Sequence, residues 1–390
     1  MNQYFPCQEA DHSQIIRLES EAFGVGDEAC QHWLQRGDGK GWRGIKNSQG
    51  LMQGALVRIP MAQWFCGRAV PMTGVAGVAV ATEARGQGVG KKLMTGFLQE
   101  LYEENVPLST LYASTTGFYR GLGYERAGGK YDLTVMLRDF SYGSRGGGAI
   151  REINNEKERL AVEELYESHV NWHGSLVRDP YMWDRVRQLM GKTAKQFGIY
   201  SDSQLVGYFN VLDQNDTFED RNLKITDKLL TTPSAQKAYL AYLASQRAIC
   251  QSATWSERLN SPILLAFPER WSYNLALFEH WLLRIVKLKE ALEMRGYPHG
   301  VKGSLHFHIQ DDLFPSNAGS WILEVDGGQA SVRKGGQANL KLSIRTLAAM
   351  YTGFLSAPDL TLAGLIEGDT ESLELARRLF HQQPHLTDGF

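Results

Sequence analysis

Residues 78–94 read VAVATEARGQGVGKKLM. The apolar run that begins at Gly74 ends at Ala81, and glycines follow at the alternating positions 86, 88 and 90. Apolar residues at helical spacing come next: Val89, Leu93, Met94, Phe97, Leu98 and Leu101. This order predicts a strand, a tight loop and the start of a helix. Free backbone N–H groups at the positive end of a helix, on a glycine backbone that lets a ligand come close, predict a phosphate or pyrophosphate site.

The glycine spacing distinguishes between the known phosphate loops. The dinucleotide pattern G-x-G-x-x-G does not fit, and the Gly-Lys-Ser/Thr of a P-loop is missing. Residues 85–90 (RGQGVG) do fit the pattern Arg/Gln-x-x-Gly-x-Gly. The segment therefore resembles the coenzyme A pyrophosphate loop of the GNAT acetyltransferases. A glycine-rich turn without a ligand is the alternative, and the flanking apolar strand and amphipathic helix count against it.

A second motif follows this loop. Residues 107–114 have a short strand pattern, and residues 115–125 read TTGFYRGLGYE. In GNAT enzymes a helix with Tyr-x-x-x-Gly-Phe/Tyr follows the next strand, and Tyr119 begins such a match here. The resemblance implies that Tyr119 is the general acid that protonates the departing coenzyme A sulfur. The alternative is a buried aromatic residue that packs beside Phe118 and Tyr124.

Length and composition describe an ordinary globular protein. The 390 residues suggest two to three domains, and the net charge of −2 gives no sign of a nucleic-acid surface. No run reaches the roughly 18 apolar residues of a membrane span, and the first residues lack the pattern of a signal peptide. The cysteines have no metal or redox spacing, so we expect reduced thiols in a cytoplasmic protein: Cys7, Cys30, Cys66 and Cys250.

Residues 1–142 are predicted to form a catalytic GNAT domain that binds acetyl-CoA. A helix is expected over residues 8–36, and strands 51–59 and 64–71 are expected to pair around a turn at residues 60–63. The glycine-rich segment 141–149 predicts a linker.

Residues 149–283 are predicted to form a degenerate second GNAT-like domain. A strand near residue 150, a helix over 155–170, a hairpin around Ser201-Asp-Ser and a helix over 235–249 repeat the order of elements in the first domain. The position of the phosphate loop is taken by residues 227–233 (DKLLTTP). Because proline and bulky side chains hinder close approach of a backbone, we expect no coenzyme A there.

Residues 284–390 form a third segment. Leu305-His-Phe-His-Ile309 and a set of polar and aromatic residues look like the sterol-carrier-protein fold: Asp311, Asn317, Trp321 and Asp326-Gly. His306 and His308 share one face of a strand near Asp311 and Asp312. Surface or hydrogen-bonded histidines explain such a pair, and no metal is expected.

The predicted fold class is thus α+β, with tandem GNAT-type mixed sheets, the second degenerate, followed by a sterol-carrier-like α+β domain. This arrangement is similar to the Eis family of N-acetyltransferases over essentially the whole chain. In that family the tail carries no lipid, closes over the first active site and supplies the terminal carboxylate for catalysis. The resemblance implies that the Phe390 carboxylate is the general base and that its ring pins the terminus in an apolar niche. A frayed terminus is the alternative.

The resemblance also implies a set of binding residues. Coenzyme contacts carry over to Val78, Ala79, Val80, Arg85, Gly86, Gln87, Gly88, Val89, Gly90, Lys91, Ser114 and Thr115. A backbone N–H near residues 78–80 is expected to stabilise the oxyanion. Relatives acetylate polycationic aminoglycosides in a wide acidic pocket. Candidate substrate residues are therefore carboxylates, Asp27, Glu28 and Asp388, and flat aromatic walls, Trp33 and Trp64; a surface or core role is the alternative for each.

The sequence leaves the acceptor amine open between an aminoglycoside-like polycation, a peptide lysine, a polyamine and another small amine. Two other functional classes are kept: a carrier of an apolar ligand, and a coenzyme A-binding regulator without catalysis. No nucleic-acid or membrane partner is expected. The resemblance implies a homo-oligomer, with the hexamer of the family as the expected size.

Overall fold

The computed structural model describes residues 3–34, 40–139, 148–189, 191–214, 221–267 and 269–390. The helices are α1 His12–Phe23, α2 Asp27–Leu34, α3 Val89–Glu103, α4 Thr116–Arg120, α5 Glu156–His169, α6 Pro180–Arg187, α7 Pro233–Ser245, α8 Leu288–Met294, α9 Ile344–Tyr351, α10 Ala357–Leu362 and α11 Thr370–Leu379. The strands are β1 Tyr4–Pro6, β2 Trp42–Lys46, β3 Met52–Phe65, β4 Arg68–Val80, β5 Leu108–Tyr112, β6 Glu125–Met136, β7 Ala149–Glu152, β8 Leu176–Val177, β9 Gln188–Leu189, β10 Lys192–Thr193, β11 Lys195–Ser201, β12 Gln204–Gln214, β13 Asn222–Leu230, β14 Ser252–Ser256, β15 Tyr273–Ile285, β16 Gly303–Gln310, β17 Gly319–Asp326, β18 Gln329–Lys334, β19 Leu340–Ser343 and β20 Ile366–Gly368.

One mixed sheet runs through the first two thirds of the chain. Among the described residues it joins thirteen strands in the order β1-β2-β3-β4-β5-β15-β6-β14-β13-β12-β11-β7, with β8 paired to β3. The order is nearly a palindrome, because strands β7 to β15 repeat the arrangement of β1 to β6. The last strand of each copy lies in the sheet of the other: β15 pairs with β5, and β6 pairs with β14. The two copies are therefore joined by an exchange of strands.

In the first copy, the apolar face of an amphipathic helix covers the sheet. The predicted apolar face of α3 is buried against β2, β3 and β4, as Val89, Leu93, Met94, Phe97, Leu98 and Leu101. The single helix predicted over residues 8–36 is wrong at its centre. It is split into α1 and α2, because Gly24 ends α1 in the left-handed conformation (φ 65°).

The turn predicted at residues 60–63 is also wrong. Strand β3 continues through Pro60 to Phe65, and the hairpin closes at Cys66 (φ 50°) and Gly67 (φ 77°). Two positive φ values are those of a type I′ turn, whose twist matches that of the paired strands. Pro60 lacks an N–H, but it lies on a strand that continues to pair with β4 at Thr73.

The second copy follows the sequence prediction closely. Strands β11 and β12 form the hairpin around Ser201-Asp-Ser, and Asn155 caps the start of α5 by accepting a hydrogen bond from the Glu158 N–H. The predicted linker over 141–149 lies largely outside the described residues. The domain limits at 142, 149 and 284 remain predictions.

The C-terminal segment forms a five-stranded sheet in the order β18-β17-β16-β19-β20, flanked by α8 to α11. Helix α9 packs against β6 and β15 of the large sheet. The side chain of Arg284 on β15 is wholly buried and donates to both Asp311 oxygens at 2.8 Å. The same carboxylate also accepts from the Leu313 and Phe314 N–H groups and from Asn317 Nδ2. The α+β fold class with two mixed-sheet copies and a sterol-carrier-like tail is confirmed.

Candidate active site

The site is built where β4 and β5 separate. These strands pair in parallel from Met72↔Leu108 to Gly74↔Thr110, and the pairing stops there although β4 continues to Val80. Beyond Gly74, β4 keeps β3 as its neighbour on one side only. Its other edge presents backbone N–H and C=O groups that an extended, amide-containing ligand can pair with. Alternate residues along this stretch are half-buried: Ala76, Val78 and Val80.

A β-bulge lies on the same stretch of β4. The register shifts between Ala55↔Ala79 and Val57↔Ala76, so an extra residue stands on β4 at Gly77 (φ 54°). A Cβ on Gly77 would lie 2.9 Å from a carboxylate oxygen of the buried Glu19, so only glycine fits without a shift. A bulge takes backbone groups out of the ladder and turns them, so the backbone near residues 78–80 departs from regular pairing with β3.

The loop after β4 has the geometry of an anion site. Gly86 (φ 75°) and Gly88 (φ 76°) are left-handed, and a Cβ on either would point into open space. Gly88 is the N-cap of α3 and has no side chain to satisfy the first N–H groups of the helix. Arg85 and Lys91 are exposed beside them. The residues present therefore fit a pyrophosphate, which uncapped N–H groups, the helix dipole and two cations would all stabilise.

The equivalent helix of the second copy is closed to such a ligand. Thr232 caps α7 by accepting from the Ala235 N–H at 3.1 Å, and Pro233 in the first turn has no N–H. Thr231 is tied to Val206 through both its backbone N–H and its hydroxyl. In the first turn of α7 one N–H is therefore missing at Pro233 and another is already bonded at Ala235, whereas Gly88 caps no N–H of α3.

Tyr119 lies on α4 with 7% of its surface exposed. Its ring packs edge-on against Phe118 at 5.0 Å, and a Cβ on Gly90 would lie 3.4 Å from the Phe118 ring. The start of α3 and the helix of Tyr119 are therefore neighbours. Burial raises the pKa of Tyr119 to about 12, so its hydroxyl keeps its proton near neutrality. Ser114 and Thr115 are exposed between β5 and α4.

The C-terminus reaches the same place. Phe390 is 9% exposed, and its ring packs against Tyr112 with centroids 5.1 Å apart. A Cβ on Gly74 would lie 2.9 Å from the Phe390 ring. Gly74 is the last residue of β4 that pairs with β5, so the terminal residue lies where these two strands separate. Tyr112 also donates a hydrogen bond to the Asp388 carbonyl at 2.7 Å.

The ammonium of the half-buried Lys130 lies beside Gly389. A Cβ on Gly389 would lie 3.4 Å from Lys130 Nζ, and the same ammonium faces the rings of Tyr112 and Phe278. Burial lowers the pKa of Lys130, while Glu279, Asp132 and Asp388 act in the opposite direction. Glu279 is the cross-strand partner of Lys130, and burial raises the pKa of its carboxyl.

The structure separates the predicted substrate residues. Asp388 is buried, and its carboxylate pairs with Arg178 at 2.6 Å, so its charge is not free for a polycation. Asp27 and Glu28 are exposed in the first turn of α2, where a helix favours acidic residues. Trp33 packs edge-on against Phe23. Trp64 pairs with Ala69, five residues before Gly74 or roughly 17 Å along the strand.

Sequence reasoning missed the residues that fix the terminus. Tyr112 ends a strand that the sequence predicts, so its place beside Ser114 was a usable signal. Lys130 and Arg178 carry no such signal, because each becomes part of the site only through contacts with residues more than two hundred positions later.

No group of three or more His, Cys, Asp or Glu in the described ranges could hold a metal ion. His306 accepts from the Gln337 N–H, and His308 lies 3.2 Å from the Ser320 hydroxyl. None of the four cysteines forms a disulfide. In the part of the chain that the structure describes, every helix is too short or too polar to cross a membrane.

Comparisons with known proteins agree with this architecture. Residues 3–127 and residues 174–285 each match an acetyltransferase (GNAT) domain, and residues 288–387 match a sterol carrier protein domain. N-acetyltransferase Eis of Mycobacterium tuberculosis is 24% identical over 325 residues, which cover 80% of this chain and 77% of that protein.

Two further proteins are similar. An uncharacterized N-acetyltransferase of Streptomyces avermitilis is 26% identical over 320 residues, covering 77% of this chain and 76% of that protein. The crystal structure of a GCN5-related N-acetyltransferase from Anabaena variabilis superposes with a TM-score of 0.94 at 29% identity and covers 100% of both chains. With two GNAT domains followed by a sterol carrier protein domain, the chain is a GNAT-type N-acetyltransferase that is similar to Eis.

Proposed function

We propose that this acetyltransferase moves an acetyl group from acetyl-CoA to a primary amine at the point where β4 and β5 separate, with Tyr119 as general acid and the Phe390 carboxylate as general base. One observation carries the proposal. The chain terminus packs on Gly74 and Tyr112, next to the strand whose free edge leads into the glycine loop.

The coenzyme subsite follows from the free backbone groups. The pyrophosphate binds at the N–H groups from Gly86 to Lys91, with Arg85 beside it, and the amide-containing arm lies along β4 at Val78, Ala79 and Val80. Gln87, Gly88, Val89 and Gly90 complete the loop, and Ser114 and Thr115 border it on the side of α4. The support is the uncapped start of α3 and the unpaired edge of β4.

The amine must lose a proton before it can attack. An ammonium is not nucleophilic, and the Phe390 carboxylate accepts the proton directly or through a water molecule. A free α-carboxyl with its ordinary pKa of about 3.3–3.7 is a weak base, so position matters more than basicity. The bulged backbone near Val78 stabilises the oxyanion of the intermediate.

Tyr119 acts as general acid when coenzyme A leaves the intermediate. A thiol of ordinary pKa near 8.5 is a fair leaving group near neutrality. Because the pKa of Tyr119 is about 12, its hydroxyl is protonated near neutrality and donates a hydrogen bond to the sulfur. As the C–S bond breaks, this proton passes to the sulfur, coenzyme A leaves as the thiol, and Tyr119 regains a proton from solvent.

The acceptor is proposed only by class, as an amine of an aminoglycoside-like polycation or another primary amine. Asp27 and Glu28 stay candidates for attracting a polycation, because their carboxylates are exposed. Trp33 and Trp64 have weaker support, since one packs on Phe23 and the other lies far along β3.

The carrier alternative has little support. The apolar cavity in the core of the C-terminal segment, lined by Leu305, Phe307 and Phe380 among others, has a volume of about 10 Å³. That is about the space of one water probe and far below the size of a lipid chain.

The test is release of coenzyme A thiol from acetyl-CoA with aminoglycosides, polyamines and lysine peptides, for the wild type and for a chain lacking Phe390. Release with an amine that is lost on the deletion, while acetyl-CoA still binds, supports both the reaction and the terminal base. If thiol release persists after the deletion, the Phe390 carboxylate is excluded as the general base. No release with any amine favours the regulator.

We also propose a homo-oligomer in the cytoplasm, with the hexamer of the family as the expected size. Sedimentation velocity checks the size, since a hexamer has about six times the mass of one chain.

A further inference from the structure

The second copy contains its own strand separation. Strands β13 and β14 pair in parallel from Asn222↔Ser252 to Ile225↔Trp255, and β13 then continues to Leu230 without β14. This is the topological equivalent of the separation between β4 and β5. The opening is occupied in part by the chain itself: a cavity of about 140 Å³ there is lined by residues of both strands and by His385, Thr387 and Asp388.

Residues 385–388 are held closely along this opening. The His385 N–H donates to the His173 carbonyl at 2.7 Å. Gly174 has φ 92°, and a Cβ on it would lie 2.5 Å from the His385 nitrogen, so the tail backbone packs where a larger residue would collide. The His385 ring also lies against Trp172, with centroids 5.9 Å apart.

Arg178 ties the tail to the second copy. Its side chain is 2% exposed and donates to both oxygens of Asp388, at 2.6 and 3.3 Å. It donates equally to both oxygens of Asp227 on β13, at 2.6 and 2.9 Å. Tyr208 donates to Asp227 at 2.8 Å, and the guanidinium stacks on Tyr166 at 4.0 Å. A bidentate guanidinium with stacked faces has little freedom, so it fixes the orientation of both carboxylates.

Fixing Asp388 also restricts where Phe390 can lie. Only Gly389 separates it from Phe390, so the two Cα atoms are at most about 7 Å apart. Tyr112 of the first copy holds the Asp388 carbonyl, while Arg178 holds its carboxylate from the other side. The last residues are thus clamped between both copies, with Phe390 on Gly74.

We infer that the degenerate copy has become the anchor of the terminal base: its strand opening holds residues 385–388, and Arg178 is a positioning residue that locks Asp388 to Asp227. The inference rests on the proposed role of the Phe390 carboxylate. It gives the second copy a task that needs no coenzyme.

Two measurements on the full-length protein test it. The first is the rate at which a carboxypeptidase releases Phe390, which reports detachment of the tail whether or not the terminus is catalytic. The second is kcat and KM for acetyl-CoA and for an amine. The variants are Asp388→Asn, Arg178→Met and the conservative Arg178→Lys. The control is Asp326→Asn, which removes one partner of the exposed Lys302–Asp326 pair.

We expect Asp388→Asn to release Phe390 at least about tenfold faster and to lower kcat by a similar factor, with the KM for acetyl-CoA unchanged, because the anchor does not touch the coenzyme loop. Arg178→Lys should recover part of what Arg178→Met loses. The control should match the wild type in both measurements.

The anchor is overturned if Asp388→Asn keeps the wild-type release rate, or if release accelerates while kcat does not change. Failure of the proposed base gives a different result, in which deletion of Phe390 leaves kcat intact. Should Arg178→Met fail to fold, Asp388→Asn still decides, since position 388 is only two residues before the end and asparagine keeps the size of the side chain.

Discussion

Burial determines the chemistry open to Tyr119, whose ring packs on Phe118, the side chain that lies against Gly90 at the start of α3. With a pKa of about 12 its hydroxyl stays protonated at any working pH. We expect Tyr119→Phe to lower kcat by about 10²-fold, the lower range for general acid catalysis, because the thiolate loses a donor but remains a fair leaving group. Acetyl-CoA affinity should not change, since the loop N–H groups are intact.

Steady-state kinetics and equilibrium binding of acetyl-CoA check this prediction. Tyr102→Phe is the matched control, because Tyr102 is a half-buried tyrosine of the same domain that stacks on Phe314. Equal kcat in the wild type and Tyr119→Phe would remove Tyr119 from the mechanism.

At the same scale, the sequence indicates candidate residues that lie together in short motifs. It does not indicate residues that only folding brings together. Gly86, Gly88 and Tyr119 lie in short motifs, so their neighbours in sequence are also their neighbours in space. Asp388 shows the limit: its carboxylate looks free in the sequence, but Arg178, two hundred and ten positions earlier, neutralises it. No periodicity in the chain links the two.

At the scale of the element, the loop between β4 and α3 can be tested through its backbone. We expect Gly88→Ala to raise the KM for acetyl-CoA, because its Cβ would stand in the space above the free N–H groups. Left-handed alanine also costs about 1–2 kcal/mol of stability. Gly50→Ala is the matched control: Gly50 has φ 79°, has open space around it and lies in the exposed β2–β3 turn.

Urea unfolding and acetyl-CoA kinetics separate the two effects. Both variants should lose similar stability, whereas only Gly88→Ala should change the KM. A KM that rises equally in both would trace the effect to backbone strain rather than to the coenzyme loop.

Element boundaries were predicted well where caps and periodicity are local, as at α5 and the β11–β12 hairpin. The error at residues 60–63 has a physical cause. Pro60 predicts a turn, but the left-handed pair Cys66-Gly67 forms it, and nothing in the sequence indicates that Cys66 adopts φ 50°.

At the scale of the whole molecule, the strand exchange could not be predicted, because a strand pattern in a sequence does not show which strand will be its neighbour in the sheet. The exchange brings Arg284 of β15 against Asp311 of the C-terminal segment.

Asp311→Asn should destabilise the protein by about 3–5 kcal/mol, since it leaves a buried guanidinium without its charge partner. Urea unfolding measures the loss. Asp326→Asn, at an exposed pair, should have no measurable effect, and an equal loss in both variants would contradict the argument.

The contact between residues 385–388 and the second copy should also make the protein less stable in acid, because it contains the buried histidines His173 and His385. His173 accepts from the Cys66 N–H at Nδ1 and lies 2.9 Å from the Thr352 carbonyl at Nε2, as a neutral ring does. Burial lowers the pKa of both His173 and His385 from 6.5 to about 3. The unfolded chain binds these protons near pH 6.5 and the folded chain only near pH 3. Stability is therefore full above pH 6.5 and falls towards pH 3, by up to about 1.4 kcal/mol per pH unit for each histidine.

Urea unfolding at pH 7 and pH 5 measures this slope. We expect His173→Gln to flatten it, because a glutamine amide can replace both hydrogen bonds and does not titrate. His32→Gln, at an exposed position on α2, should leave the slope as in the wild type. If His173→Gln and the wild type lose the same stability between the two pH values, proton uptake by His173 is not what weakens the junction. The acid sensitivity would then lie with His385 instead.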